Sequence, residues 1–434
     1  MIASLLFAAL AAAIQARTPV KVDSWEWQFE EIDISALRGT NFNSYVMAVF
    51  RNRDGQEALY VGANNGKGCE LWRSTDGKRF TRLASGGLKE WGGNDKHKWI
   101  TSFAAFNGEL YVGTWAMGAG EHCKIFRSAD GVHGTVFVKD GFASEGAPIP
   151  NGNLAATYML VHQGKLFVGV YNPRYGPQLW RHDGRSWKML VSRGQFGKGA
   201  GFGNTDVTTL AEFQGRLYLS TENPSAGTQI WRKSANADLV FEKVNSNSFG
   251  ELFNNNSGLM VSGNELLAHT WDFSFGSKVY RYKGNRSWAS EVSPGFGDPA
   301  SGLTTLYQFR ERAPTLAMVG AYNPRGFDLW SRFPGGEWAR VARPADLGLP
   351  SSYTYVGTTI NWKRELYMAV GSLASLDPRA PMRLFKATAR PHVTIDYTKD
   401  RTLELSLGHP KSWLRALRFN RISLEARIPS LGWT

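Results

Sequence analysis

The residue types able to do acid–base or ligand chemistry gather in short polar stretches that recur about every fifty residues along the chain. Asp206, Glu222 and Asp272 are the acids of that set. Two carboxyls facing one substrate, one protonated and one ionised, form the arrangement that cleaves a glycosidic bond. His97 and His269 stand in comparable stretches and offer an acid or a base to an elimination. No spacing among these residues compels catalysis, because any ring of polar loops supplies acids.

The same stretches hold the candidate ligand-binding residues Trp115, Tyr171, Asn172, Arg174, Asn223, Trp271, Tyr322, Asn323 and Arg325. Amide side chains pair donor with acceptor, as sugar hydroxyls require. Trp and Tyr present apolar faces to sugar rings. Arg174 and Arg325 have the fork that grips a carboxylate or sulfate, and each ends an identical Tyr-Asn-Pro-Arg run, at 171–174 and 322–325. Asn-Pro is also a strong turn signal, so a purely local role for these runs stands beside the ligand role.

Something must bring such scattered stretches together, and the intervening sequence supplies it. Leu59-Tyr-Val-Gly, Leu110-Tyr-Val-Gly, Leu166-Phe-Val-Gly, Leu217-Tyr-Leu-Ser, Leu266-Leu-Ala-His, Ala317-Met-Val-Gly and Leu366-Tyr-Met-Ala repeat one apolar pattern. An apolar strand precedes each, as in Thr208 to Phe213, and tight turns such as Asn107-Gly108 or Gln214-Gly215 connect them. A third strand follows, with an aliphatic residue, an aromatic and usually a base: Leu71-Trp-Arg, Leu179-Trp-Arg, Ile230-Trp-Arg. An aromatic opens the fourth strand at Phe80, Trp187, Phe241 and Trp338. Four antiparallel strands per unit, too thin to bury both faces alone, predict an all-β, seven-bladed β-propeller over residues 25–390. On that template the loops leading into first strands and those joining second to third strands converge on one mouth, which is where the polar stretches fall.

The seventh unit lacks an aromatic-led fourth strand after Leu384-Phe-Lys. Phe29-Glu-Glu-Ile32 has the form of Phe241-Glu-Lys-Val244, so an N-terminal strand is expected to complete the last blade and remove two open sheet edges. The competing segment is His392 to Tyr397.

Ser74-Thr-Asp-Gly, Ser128-Ala-Asp-Gly and His182-Asp-Gly-Arg-Ser-Trp187 lie between third and fourth strands. They resemble the Asp-box, or BNR repeat, of sialidase-like propellers; later units match it only in part. The resemblance implies fold support at the outer hairpins, away from any active site. It does not extend to the family's catalytic set: no arginine triad can be matched, and Arg427-Ile-Pro429 lies outside the repeats.

Residues 1–16 read as a cleaved secretory signal, although no Lys or Arg precedes the apolar part; the expectation is a secreted or extracytoplasmic protein. Residues 391–434 form a basic tail in which 411–427 has the composition of an amphipathic helix. Cys69 and Cys123 occupy equivalent points of neighbouring units, too far apart for a disulfide, so two buried thiols are expected. A net charge of +13 favours polyanionic surroundings. Asn255 and Asn285 stand in Asn-X-Ser settings.

These features point to a propeller binding a glycan or anionic extracellular polymer at one mouth. Alternatives are a glycoside hydrolase or polysaccharide lyase using the same acids, and a protein-interaction scaffold. No Rossmann or phosphate-loop signature calls for a nucleotide cofactor, nucleic acid is not an expected partner, and a monomer is expected. No cofactor is called for; a structural calcium on Asp and Asn oxygens remains open, although no twelve-residue calcium loop occurs.

Overall fold

The computed structural model describes residues 22–34, 41–148, 151–196, 203–251, 253–309, 316–373, 380–393, 396–397 and 403–404. The expected signal segment at 1–16 and the basic stretch at 411–427 lie outside these residues. The described chain is an all-β propeller built from antiparallel meanders in sequence order.

Strand pairing groups the meanders into three four-stranded and two eight-stranded sheets, with one further two-stranded piece at Asp396–Tyr397 and Leu403–Glu404. The expectation was one sheet for each repeat. Instead, two pairs of neighbouring repeats are stitched together, each through a single residue pair: Trp115 with Ala155, and Trp271 with Leu303. Both stitches lie where a second strand ends and the next first strand begins, so the backbones approach most closely at that end.

The repeated apolar strand is buried along most of its length, as in Lys165–Tyr171 and Glu265–Trp271, because a neighbouring meander covers each face. Its fourth position is Gly62, Gly113, Gly169 and Gly320 in four repeats. At Gly169 an added Cβ would meet Val207 at 2.7 Å, so the missing side chain lets the next first strand come close. The fifth repeat inverts the arrangement. There His269 fills the position and Gly258 stands directly opposite, where a Cβ would lie 2.1 Å from His269 Nε2.

A second repeat, absent from the sequence reading, bolts neighbours together. After the fourth strands come Phe142, Phe196, Phe249 and Phe296, each beside a glycine. Phe142 stacks on Trp180, Phe196 on Trp231, Phe249 on Tyr280 and Phe296 on Trp330, with ring centroids 4.7, 4.7, 4.2 and 4.8 Å apart. The stacked partner is always the third-strand aromatic of the following meander, so the bolt consumes the aromatic that each Leu-Trp-Arg pattern supplies.

Phe29-Glu-Glu-Ile32 belongs to Val22–Ile32, which pairs antiparallel with Arg383–Val393 as the outermost strand of the last meander. Glu31 pairs with Arg383 at 2.5 Å and Glu30 with Lys386 at 2.8 Å, while Ile32 and Ile34 are buried against the first meander. His392 and Val393 continue the partner strand instead of replacing it.

In the Ser-X-Asp-Gly turns, Asp76 Oδ1 accepts the backbone N–H of Lys78 and Arg79, and Ser74 Oγ accepts that of Gly77. Asp130 and Ser128 repeat the arrangement, and Gly131 O accepts the hydroxyl of Tyr60 from the preceding meander. These turns therefore brace one meander on another. Cys69 and Cys123 are free and buried, and burial pushes the Cys123 thiol up to about 12.

Candidate functional site

Every inner hairpin presents one residue pair at the stitched end, set by the register of first strand against second. Around the ring these pairs are Asn43–Asn64, Trp99–Trp115, Ala155–Tyr171, Asp206–Glu222, Asn256–Trp271, Leu303–Tyr322 and Tyr355–Gly371. Directly opposed residues project to the same face of a sheet. Unlike the apolar pattern between them, these positions change from one meander to the next.

Four of these positions, with Tyr45, form a continuous aromatic arc. Tyr355 meets Tyr45 at 6.0 Å, Tyr45 meets Trp99 at 5.4 Å, Trp99 meets Trp115 at 4.7 Å and Trp115 meets Tyr171 at 4.9 Å. All but Tyr355 are half-buried. The sequence reading found Trp115 and Tyr171 in their loops. It missed Tyr45 and Trp99, which lie within first strands and carry no loop signal.

The arc ends at the acids. Asp206 and Glu222 are register partners on Asp206–Phe213 and Arg216–Glu222. Asp206 is 6% exposed, and its Oδ1 accepts the Thr157 hydroxyl of the preceding meander at 2.8 Å. Burial lifts its carboxyl to about 8, with the charge of Glu222 adding to the effect. Glu222 is half-buried, accepts from Thr205 Oγ1 at 3.1 Å, and is also raised by burial. Tyr171 is raised by burial first and by the Glu222 and Asp206 charges second, and the next residue, Asn172, donates its N–H to Thr205 O at 2.8 Å. At neutral pH, Asp206 is therefore a proton donor beside a second carboxyl whose proton affinity is also raised.

Asp272 is not brought to this pair. It is buried, and its Oδ1 accepts the backbone N–H groups of Ser274 and Phe275, both at 2.9 Å. Asn172, Asn223 and Asn323 occupy the equivalent position and cap their own loops through Tyr175, Ala226 and Arg325 N–H groups. Their amide nitrogens reach the loop leading into the first strand: Asn172 Nδ2 donates to Asn153 Oδ1, Asn223 to Asn204 Oδ1, and Asn323 to Asp298 Oδ2. Asn153 and Asn204 pass the chain on to Gln178 and Gln229. The asparagine-rich loops are a repeated amide relay that satisfies buried polar groups.

The two Tyr-Asn-Pro-Arg runs diverge at their last residue. Arg325 Nη2 is 2.6 Å from Asp298 Oδ2, whereas Arg174 lies over the ring of its neighbour Tyr175 at 5.2 Å. Both are exposed. Trp271 and Tyr322 flank a rim that also escaped notice in the sequence: Phe253, Phe273 and Phe275 are each more than half exposed, Phe273 lying 6.0 Å from Tyr322 and Phe275 5.7 Å from Phe253.

The two histidines are poor acid–base groups near neutrality. His97 is buried, with Nε2 3.0 Å from Lys124 Nζ and Nδ1 2.8 Å from Thr114 Oγ1. An ammonium only donates, so Nε2 accepts and Nδ1 carries the proton. Burial first, and the Lys124 charge second, hold His97 down to about 3. Burial alone brings His269 to about 3. Among the described residues, no group of His, Cys, Asp and Glu is arranged to hold a metal ion.

No protein-family model matches the chain, and no curated protein matches it in sequence. Solved structures similar to it include the WD40 β-propeller domain of Doa1, at 10% identity and a TM-score of 0.46, covering 88% of this chain and 99% of that one. A Trypanosoma rangeli sialidase in complex with sialic acid gives 10% identity and a TM-score of 0.44, with 81% of this chain against 58% of that one. A six-bladed fucose-recognising lectin from Aleuria aurantia gives 14% identity and 0.43, covering 75% and 100%.

Proposed function

We propose that this protein is a glycan-binding propeller whose ligand packs against the aromatic arc of one mouth, with Glu222 and Asp206 as its polar anchors. The observation that carries this reading is the unbroken run of half-exposed rings from Tyr45 to Tyr171. Sugar rings expose flat C–H faces that stack on such surfaces, while their hydroxyls need a donor and an acceptor close by. A protonated Asp206 supplies the donor, and the Glu222 carboxyl oxygens supply the acceptor.

The same proposal takes the ring as seven-bladed. The support is the single-pair nature of both stitches, which divides each eight-stranded sheet into two ordinary four-stranded blades. A general preference for polyanions is the weaker part of the sequence expectation at this mouth: Arg325 is already neutralised by Asp298, and the inner charges are acidic.

A glycan array with wild type, Trp115→Ala and Trp99→Ala tests the reading. Retained glycans whose binding falls at least tenfold in both variants uphold it. An array with no retained glycan, or variants that bind unchanged, would overturn it.

A second reading, glycoside hydrolysis, is favoured by one observation: Asp206 and Glu222 sit together with the proton affinity of Asp206 raised to about 8. Such a separation is how a carboxyl pair divides the roles of acid and ionised partner. Reducing-end release from any retained glycan, abolished in Glu222→Gln, would favour it.

A further inference from the structure

Several carboxylates in this basic protein are compensated by cations. Arg332, almost wholly buried, pairs with Glu265 and Glu291, and Arg281 pairs with both as well. Asp238 gathers Arg181, Lys188 and Lys233, and Glu242 takes Arg232 and Arg286. Asp206 and Glu222 are set face to face by strand register. Among the described residues neither enters an ion pair; Asp206 accepts from the Thr157 hydroxyl and Glu222 from that of Thr205. Two neighbouring carboxyls out of water cannot both ionise without a countercharge, which is why Asp206 keeps its proton. A cation arriving from outside supplies that charge and lets the proton go.

The wall beside them has the matching chemistry. The N–H of Asn172 donates to Thr205 O, which sets Tyr171 alongside the strand that opens with Asp206, and Trp115 and Trp99 extend the surface behind it. Aromatic faces attract cations through their quadrupole, and the attraction grows as water is excluded. We propose that the acid end of the aromatic arc takes an ammonium group, presented by an amino sugar whose ring stacks on Trp115 and Tyr171. This inference rests on the glycan reading above and specifies which sugars fit it. Glu222, half-exposed, meets the ammonium directly; Asp206, behind it, completes the acidic floor.

Isothermal titration with three probes tests the assignment: a glucosamine pentamer, its fully N-acetylated counterpart, and tetramethylammonium as competitor. N-acetylation removes the charge and leaves the pyranose ring in place. The expected result is about tenfold tighter binding of the free-amine pentamer, displacement of it by tetramethylammonium, and loss of the preference in Glu222→Gln. Glu337→Gln, an exposed acid on an outer hairpin between a third and a fourth strand, controls for net charge and should behave as wild type. Because displacement is measured on wild type, the inference does not depend on the Glu222→Gln fold.

Equal affinity for both pentamers, with no displacement, overturns the ammonium assignment and leaves glycan binding standing. Binding of tetramethylammonium but of neither pentamer overturns the amino sugar and the glycan reading together, while upholding an ammonium site. No binding of any probe overturns the assignment, and the glycan array then decides the broader reading separately.

Discussion

Replacing Asp206 by asparagine should stabilise this protein, and by more as the pH rises. The carboxyl is 6% exposed and its proton affinity is lifted to about 8, chiefly by burial. An unfolded aspartate ionises near 3.9. Between these values the folded chain holds a proton that the unfolded chain has released, so stability falls with rising pH across that window and levels off above it. Below about pH 4 both states are protonated, and the contribution is fully present. Each tenfold change in proton affinity is worth about 1.4 kcal/mol, so an unrelaxed site would lose about 6 kcal/mol over the window. Local rearrangement and water entry reduce such figures, and a difference of about 2–3 kcal/mol at pH 9 is the working expectation. Asparagine keeps an oxygen to accept the Thr157 hydroxyl and has no charge to bury. Urea denaturation of both proteins at pH 5, 7 and 9 should give midpoints that converge at the acid end and separate at the alkaline end. Parallel profiles, or a variant less stable at pH 9, would show that Asp206 is ionised and solvated in the folded protein, and the description of the acid pair would fall with it.

Other perturbations test the architecture. Phe142→Ala removes a buried ring stacked on Trp180 and should cost about 3–5 kcal/mol, read from the denaturation midpoint. Gly258→Ala places a methyl group against His269 and should cost about 1–3 kcal/mol; adding His269→Ala should recover most of that loss, because the clash has only one partner. Deleting residues 1–32 removes the strand that completes the last meander, so it should lower the melting temperature far more than trimming residues 1–21 does. Arg325→Ala should leave Asp298 without its cation and raise the Asp298 carboxyl toward an ordinary value, detectable by NMR titration.

The repeat was legible because each unit carries a complete local code. Leu-Tyr-Val-Gly, an adjoining tight turn and an aliphatic–aromatic–base strand state a meander wherever they occur, and Phe29-Glu-Glu-Ile32 could be matched to a missing strand by form alone. The Gly-Phe bolts are just as regular, yet they passed unnoticed: a lone Phe beside Gly in a loop carries no periodic signal until its stacking partner is known. Tyr45 and Trp99 were hidden for the same reason, being strand residues whose ring contacts form only where neighbouring hairpins meet.

Sequence alone therefore determined the all-β propeller, its internal repeat and the strand at its N-terminal side, because those depend on local pattern and on contacts between like units. It also brought Asp206, Glu222 and Asp272 forward together, without the means to say which of them face one another. That distinction belonged to tertiary structure. Asp272 caps its own loop through Ser274 and Phe275, whereas register places Asp206 opposite Glu222. Proton affinity and countercharge depend on what lies across a gap in space, and no spacing along the chain encodes that.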